Sequence, residues 1–178
     1  MTSWITDSTD IDDSLTMYQK VYDEIVAVLN DPVWNRPIVN IHLPQRAKFE
    51  KYLQSVLACR LNNQFPGTKI EYLLGGKLID IYANGTCIEL KTPNTNYTIQ
   101  GITNKARPIT KNITSIINDI QKLRTLNVKS GVVAFVLFPI DPNNNSFLCH
   151  VNKIVSALGH NQYCSNVVGN MFVFSCQI

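Results

Sequence analysis

The sequence predicts an α/β chain (α+β, with a mixed sheet) in which a helix, a three-strand antiparallel meander, a second helix and a buried strand follow one another. Three observations predict it. Asn84-Gly85 stands between two runs of alternating polarity, and that dipeptide favours a two-residue turn with positive φ at both positions. Ile113, Ile116, Ile117, Ile120 and Leu123 then recur at helical spacing. Gly131 to Ile140, GVVAFVLFPI, is a short and almost continuous apolar run, the pattern of a strand buried on both faces. Strand, crossover helix and strand in succession imply parallel pairing.

The elements follow in order. Residues 1–13 are polar and are expected to form a frayed tail. Ser14 to Asn30 places Leu15, Tyr18, Val21, Tyr22, Ile25, Val28 and Leu29 at helical spacing. Asp31-Pro32 ends that helix, because the residue before a proline is biased out of the α region. Val33 to Pro44 reads as an irregular connection. Gln45 to Gln64 is the next helix, with Phe49, Leu53, Val56, Leu57 and Leu61 in one stripe. Glu50 falls inside the stripe, and a carboxylate there needs an ion, a partner such as Arg60, or a route to solvent. Pro66-Gly67 stops the helix. Thr68 to Leu74 is a strand, Gly75-Gly76 a turn, and the two hairpin strands flank Asn84-Gly85. Glu71, on the first of these strands, is read as structural. Thr92 to Thr110 has no period and is a long loop, a kind that is usually functional or mobile. Asn112 to Leu126 is the crossover helix. After the buried run and the turn-rich DPNNNS, Phe147 to Leu158 is expected to hold a short strand and a helix, and Val167 to Cys176 a last strand.

No internal repeat or composition break divides the 178 residues, so 1–178 is expected to be one domain. No apolar run reaches the roughly 18 residues of a membrane span. The N-terminus lacks the basic and apolar regions of a secretory signal. Five cysteines without CxxC spacing point to reduced thiols and an intracellular, cytoplasmic protein. Cys149, His150, His160 and Cys164 fit no common zinc spacing. Net charge is +3 but uneven. Lys91 to Lys129 carries seven bases against Asp119 alone, while Met1 to Asp31 carries seven acids against Lys20. A basic segment of this kind suits a polyanion or is a solvated surface.

The hairpin, KLIDIYANGTCIELK from Lys77 to Lys91, carries the chemistry. The turn pairs Ala83 with Thr86, Tyr82 with Cys87 and Ile81 with Ile88, which places Asp80 opposite Glu89. Lys91 lies on the same face, and Ile79, Ile81, Ile88 and Leu90 on the other. Like charges directly opposite are destabilising, and a hard cation with oxygen ligands would resolve them. The alternative is an amphipathic surface hairpin with solvated charges.

Asp80, then Glu89-Leu90-Lys91 nine residues on and across a hairpin, resembles the PD-(D/E)xK nuclease superfamily. The resemblance covers roughly Arg46 to Phe138, and Ile79 stands in place of the name-giving proline. It implies a restriction-endonuclease-like core and a Mg²⁺-dependent nuclease, with Mn²⁺ as a substitute, that hydrolyses phosphodiester bonds in DNA to 5′-phosphate and 3′-hydroxyl ends. Asp80 and Glu89 would be catalytic acids holding the metal with the Leu90 carbonyl. Glu50 would be a further acid reaching the ion, and Lys91 would orient water or neutralise charge. Tyr97, Lys105, Arg107 and Lys111 are expected to contact nucleic acid, unless their segment is only a solvated surface. A homodimer is expected if the substrate is a duplex. The rival readings are a non-catalytic nucleic-acid-binding or scaffold module on the same fold, and an interaction protein with an amphipathic hairpin.

Overall fold

Three hairpins, two of them sharing a strand, and a parallel crossover build the sheet. The structure is a computed structural model and describes residues 15–38, 49–95, 109–126, 128, 130–141 and 143–178. Its elements are α1 (Met17–Asn30), α2 (Pro32–Pro37), α3 (Glu50–Gln64), β1 (Lys69–Leu74), β2 (Lys77–Ala83), β3 (Thr86–Lys91), α4 (Ile109–Thr125), β4 (Ser130–Leu137), α5 (Asn145–Leu158), β5 (Tyr163–Val168) and β6 (Met171–Gln177). The strands form one six-stranded sheet in the order β1-β2-β3-β4-β6-β5. Among the six described strands β3 and β4 pair in parallel, as the crossover through α4 requires. All other neighbours are antiparallel, so the sheet is mixed.

The β2–β3 turn has the geometry its residues favour. Asn84 and Gly85 take φ of 47° and 78°, and the ladder runs Ala83 to Thr86, Tyr82 to Cys87 and Ile81 to Ile88. An added Cβ at Gly85 would meet no atom within 4 Å, so the demand there is for backbone conformation alone. Gly85→Val is expected to lower stability by about 1–2 kcal/mol, read by chemical denaturation. An unchanged unfolding midpoint would show that the hairpin does not depend on this turn.

Helices cover both faces. Against one face, α1 and α3 bury Val21, Ile25, Leu29, Leu53, Leu57 and Leu61 over Ile81, Ile88 and Leu90. The whole stripe expected of α3, from Phe49 to Leu61, is buried. Against the other face, α4 buries Ile113, Ile116, Ile120 and Leu123 over Cys87, Val133 and Phe135, and α5 adds Phe147, Ile154 and Leu158. The β4 strand is buried on both faces, which is why it reads as an unbroken apolar run. Among the described residues, no helix is long and apolar enough to cross a membrane.

Three sequence expectations are corrected. Phe147 to Leu158 contains no strand. It lies in a single helix, Asn145–Leu158, started by the Asn144 side chain, which accepts from the Ser146 and Phe147 N–H groups. That cap overrides the strand preference of the Phe147 region. The expected last strand is two, β5 and β6, folded back at Gly169-Asn170 with Gly169 at φ 58°. The start of the Val33 connection is a short helix, with Asp31 accepting from Val33 N–H at 2.8 Å and Pro32 in its first turn. The expected frayed tail lies outside the described residues.

Candidate active site

The site begins where β2 stops being regular. The β1–β2 ladder pairs Ile70 with Ile81 and Tyr72 with Ile79, and skips Glu71 and Asp80 between them. Glu71 has φ of 50°, uncommon for a residue with a β-carbon. Its carboxylate pairs with Lys51 of α3 at 2.5 Å. Across this break the alternation of β2 inverts: Ile79 packs on the α4 side and Ile81 on the α3 side. The expectation that Ile79 and Ile81 share a face is therefore wrong. A local irregularity of this kind re-aims a side chain, and here the side chain is Asp80.

Asp80 is not a plain cross-strand partner of Glu89. The β2–β3 ladder ends at Ile81 and Ile88, and beyond it the Asp80 carboxylate itself accepts the Leu90 N–H at 2.8 Å. In a strand the N–H and C=O of one residue point to the same side, so the Leu90 carbonyl is turned to the β2 side as well. From α3, the buried Gln54 donates to the Asp80 backbone carbonyl at 2.5 Å, which pins this point of β2 to the helix.

Along β3 the expected alternation holds. Ile88 and Leu90 enter the α3-side core and Cys87 the α4-side core. Glu89, only 2% exposed, meets Lys122 of α4, whose Nζ lies 2.6 Å from Glu89 Oε1 and 2.6 Å from the Leu78 carbonyl oxygen. Burial above all pushes the Glu89 pKa up to about 7; the Lys122 hydrogen bond opposes this and the charge of Asp80 adds to it. Lys91 Nζ lies 3.5 Å from Asp119 Oδ2 and 4.0 Å from Glu50 Oε1. Burial pulls the lysine's pKa down, but Asp119 first, then Glu50, Asp80 and Glu89, outweigh it and leave the pKa raised. Lys91 is thus held as a cation at neutral pH. Burial also raises the Asp119 carboxyl, against the pull of Lys91 and Lys122.

Glu50 stands in the first turn of α3 and accepts the Thr92 N–H at 3.2 Å. It is turned to the end of β3 and Lys91. Arg60, its other candidate partner, pairs instead with Glu24 of α1. Lys111 is exposed in the first turn of α4. Tyr97, Lys105 and Arg107 lie outside the described residues.

Asp119, Lys122 and Gln54 complete the cluster and were not singled out from sequence. A signal existed for Asp119, which stands three residues after Ile116 and four before Leu123 and so falls within the apolar stripe of α4. Lys122 follows one turn later on the same helix. Together they match Lys91 and Glu89, two residues apart on β3, with opposite charges.

The donor set is all oxygen at Asp80, Glu89 and the Leu90 carbonyl. Mg²⁺ keeps several waters and uses one or two carboxylates plus a substrate phosphate, so such a sparse set fits that ion in chemistry. Among the described residues no three His, Cys, Asp or Glu side chains are grouped as a fuller cage, and this includes the Cys149, His150, His160 and Cys164 set. Comparisons with protein-family models, with curated proteins and with solved structures find no match to this chain.

Proposed function

We propose that this chain is a divalent-metal-dependent nuclease of PD-(D/E)xK type, with a restriction-endonuclease-like core, that hydrolyses phosphodiester bonds in DNA. The observation that carries this reading is the Asp80 carboxylate holding the Leu90 N–H where β2 parts from β3, next along β3 to the buried Glu89 on which its charge acts, with Lys91 ionised one residue beyond Leu90. Burying the Glu89 carboxylate with the charge of the half-buried Asp80 acting on it opposes folding, and a site that uses these charges gives a reason to keep them. Asp80, Glu89 and the Leu90 carbonyl would hold Mg²⁺, or Mn²⁺ in its place, with Glu50 reaching it through water. The bound ion would polarise the phosphate and lower the pKa of a coordinated water. Lys91 would neutralise charge developing on the phosphate, aimed from a fixed ammonium that needs no rearrangement during reaction. Asp119 holds that ammonium from α4. The products would carry 5′-phosphate and 3′-hydroxyl ends. Five free cysteines are in keeping with a reducing, intracellular setting.

The test is purified protein against single-stranded, duplex and branched DNA and against RNA, with Mg²⁺, Mn²⁺ or EDTA. Cleavage of DNA that needs the ion is the expected result, and loss of it in EDTA. No cleavage of any substrate with either ion removes the reading. The basic segment has its own test. Charge reversal at Lys105, Arg107 and Lys111 is expected to weaken DNA binding and to reduce the slope of log K against log salt by about 0.9 per lost phosphate contact. An unchanged slope would make these bases a solvated surface.

One observation favours a second reading. Lys122 already lies 2.6 Å from Glu89, and Asp119 already pairs with Lys91, so the four charges match each other without any ion. A non-catalytic nucleic-acid-binding or scaffold module would need no more than that. Calorimetric titration with Mn²⁺ separates the two, because only the nuclease requires divalent binding that disappears with Asp80.

A further inference from the structure

A cavity of about 150 Å³ opens beside Lys91, where β3 ends and α4 begins. Glu50, Lys91, Thr92, Lys111, Asn112 and Ser115 are among the residues that line it. Three independent features of this cavity point to an anion. First, α4 presents its first two turns here, and the leading N–H groups of a helix have no intrahelical acceptor and carry the positive end of its dipole. Second, Lys111 brings an ammonium that forms no ion pair among the described residues, and the exposed Ser115 hydroxyl one turn on makes no hydrogen bond among them either. Third, Thr92 is 2% exposed and its hydroxyl has no hydrogen-bond partner among the described residues. A buried hydroxyl without a partner opposes folding unless a ligand or water completes it.

The one acid in the wall does not oppose an anion. Both Glu50 oxygens are engaged, one by the Thr92 N–H and the other by Lys91 at 4.0 Å. Glu50 and Asp119 are both turned to Lys91, so the free positive charge of the lining comes from Lys111, with the positive end of the α4 dipole added. The cavity is also rigidly framed: Asn112 donates to the Asn94 carbonyl at 2.6 Å, and Thr95 N–H reaches the Phe138 carbonyl at 2.6 Å, which fixes the exit of β3 against β4.

We propose that this cavity is a phosphate-binding subsite, held by Lys111, Ser115, Thr92 and the N–H groups of Lys111 and Asn112 in the first turn of α4, that seats one phosphate of the nucleic acid next to the bond at Asp80 and Glu89. The proposal rests on the nuclease reading for its place in catalysis, but not for its chemistry. Phosphate binding here needs no divalent ion, since every donor belongs to the chain.

The experiment is amide NMR of the full chain in EDTA, titrated separately with inorganic phosphate, with a 5′-phosphorylated thymidine dinucleotide and with the same dinucleotide lacking the 5′-phosphate. The expected shifts centre on Thr92 and on 110–115, and they persist in Asp80→Asn. Ser115→Glu and Lys111→Ala, both at exposed positions, are expected to weaken binding about ten-fold, as the loss of one charge-assisted contact does. Lys153→Ala, exposed on α5, should bind as wild type. Binding of only the 5′-phosphorylated dinucleotide would support a terminal monoester as the ligand, and equal binding of both would support a backbone diester. Shifts scattered over many lysines, Ser115→Glu binding as wild type, or binding of inorganic phosphate with neither dinucleotide would each overturn the subsite. Phosphate bound here by a protein that cleaves no nucleic acid would keep the subsite and remove the nuclease.

Discussion

Asp80→Asn is expected to abolish cleavage while leaving the fold and nucleic-acid binding in place. The substitution keeps an oxygen that accepts the Leu90 N–H, now bonded at 2.8 Å, so the junction of β2 and β3 retains its hydrogen bond. What disappears is one negative charge from a set of two. Divalent-ion affinity should fall sharply, and the cleavage rate by roughly a thousand-fold or more, as is usual when one member of a concerted catalytic set is lost. The metal-free protein should be no less stable, because the charge of Asp80 is one of those that disfavour ionised Glu89. Lys91→Ala is the complement. It should lose cleavage to a similar degree yet still bind the ion, since an ammonium has no lone pair to offer a metal. Mn²⁺ calorimetry and a cleavage assay on both variants give the result. Variants that cut as fast as wild type would detach the hairpin from the chemistry.

The sequence made the hairpin register legible because its determinant is local. Asn84-Gly85 accepts positive φ at both positions, and once the turn is set every partner as far as Ile81 and Ile88 follows by counting. The stripes of α3 and α4 were legible for a similar reason, since burial repeats with the helix. What happens at Asp80 was not legible. The inversion of β2 depends on Glu71, two strands' width from β3, adopting a φ of 50° and reaching Lys51 on a helix. Nothing in the run KIEYLL signals that, because Glu has no preference for positive φ. The Lys122 contact was hidden differently. A lysine beside an apolar stripe reads as solvated, and only the crossover geometry of α4 lays it over Glu89. At the β5–β6 hairpin Gly169-Asn170 is a turn signal, but the apolar run after it makes Val167 to Cys176 look like one strand.

Glu89→Gln should change how stability depends on pH, measured on metal-free protein in EDTA. In the unfolded chain this carboxyl titrates near 4.5, and in the fold burial pushes it up to about 7. Below 4.5 both states hold the proton, and the contribution of the neutral, buried acid is fully present. Between 4.5 and about 7 the unfolded chain releases its proton and the folded chain retains it, so stability drains as pH rises. Above about 7 the loss is complete. A gap of that size corresponds to about 3 kcal/mol. Asp119, raised in the same sense, adds to the fall in wild type and in the variant alike. Gln has the shape of the neutral acid at every pH and still offers Lys122 an acceptor. The stability of wild type relative to Glu89→Gln, read from urea unfolding at pH 4 and pH 8, should therefore drop by about 3 kcal/mol over that range. A difference that does not move with pH would mean that Lys122 fully compensates the buried charge. Excess Mg²⁺ at pH 8 should then raise the wild-type midpoint by mass action and leave that of Glu89→Gln nearly unmoved. A chain that buries an acid at such expense and recovers the loss only with a divalent ion has the electrostatics of a metal site. A chain in which Mg²⁺ moves neither midpoint has a structural ion pair.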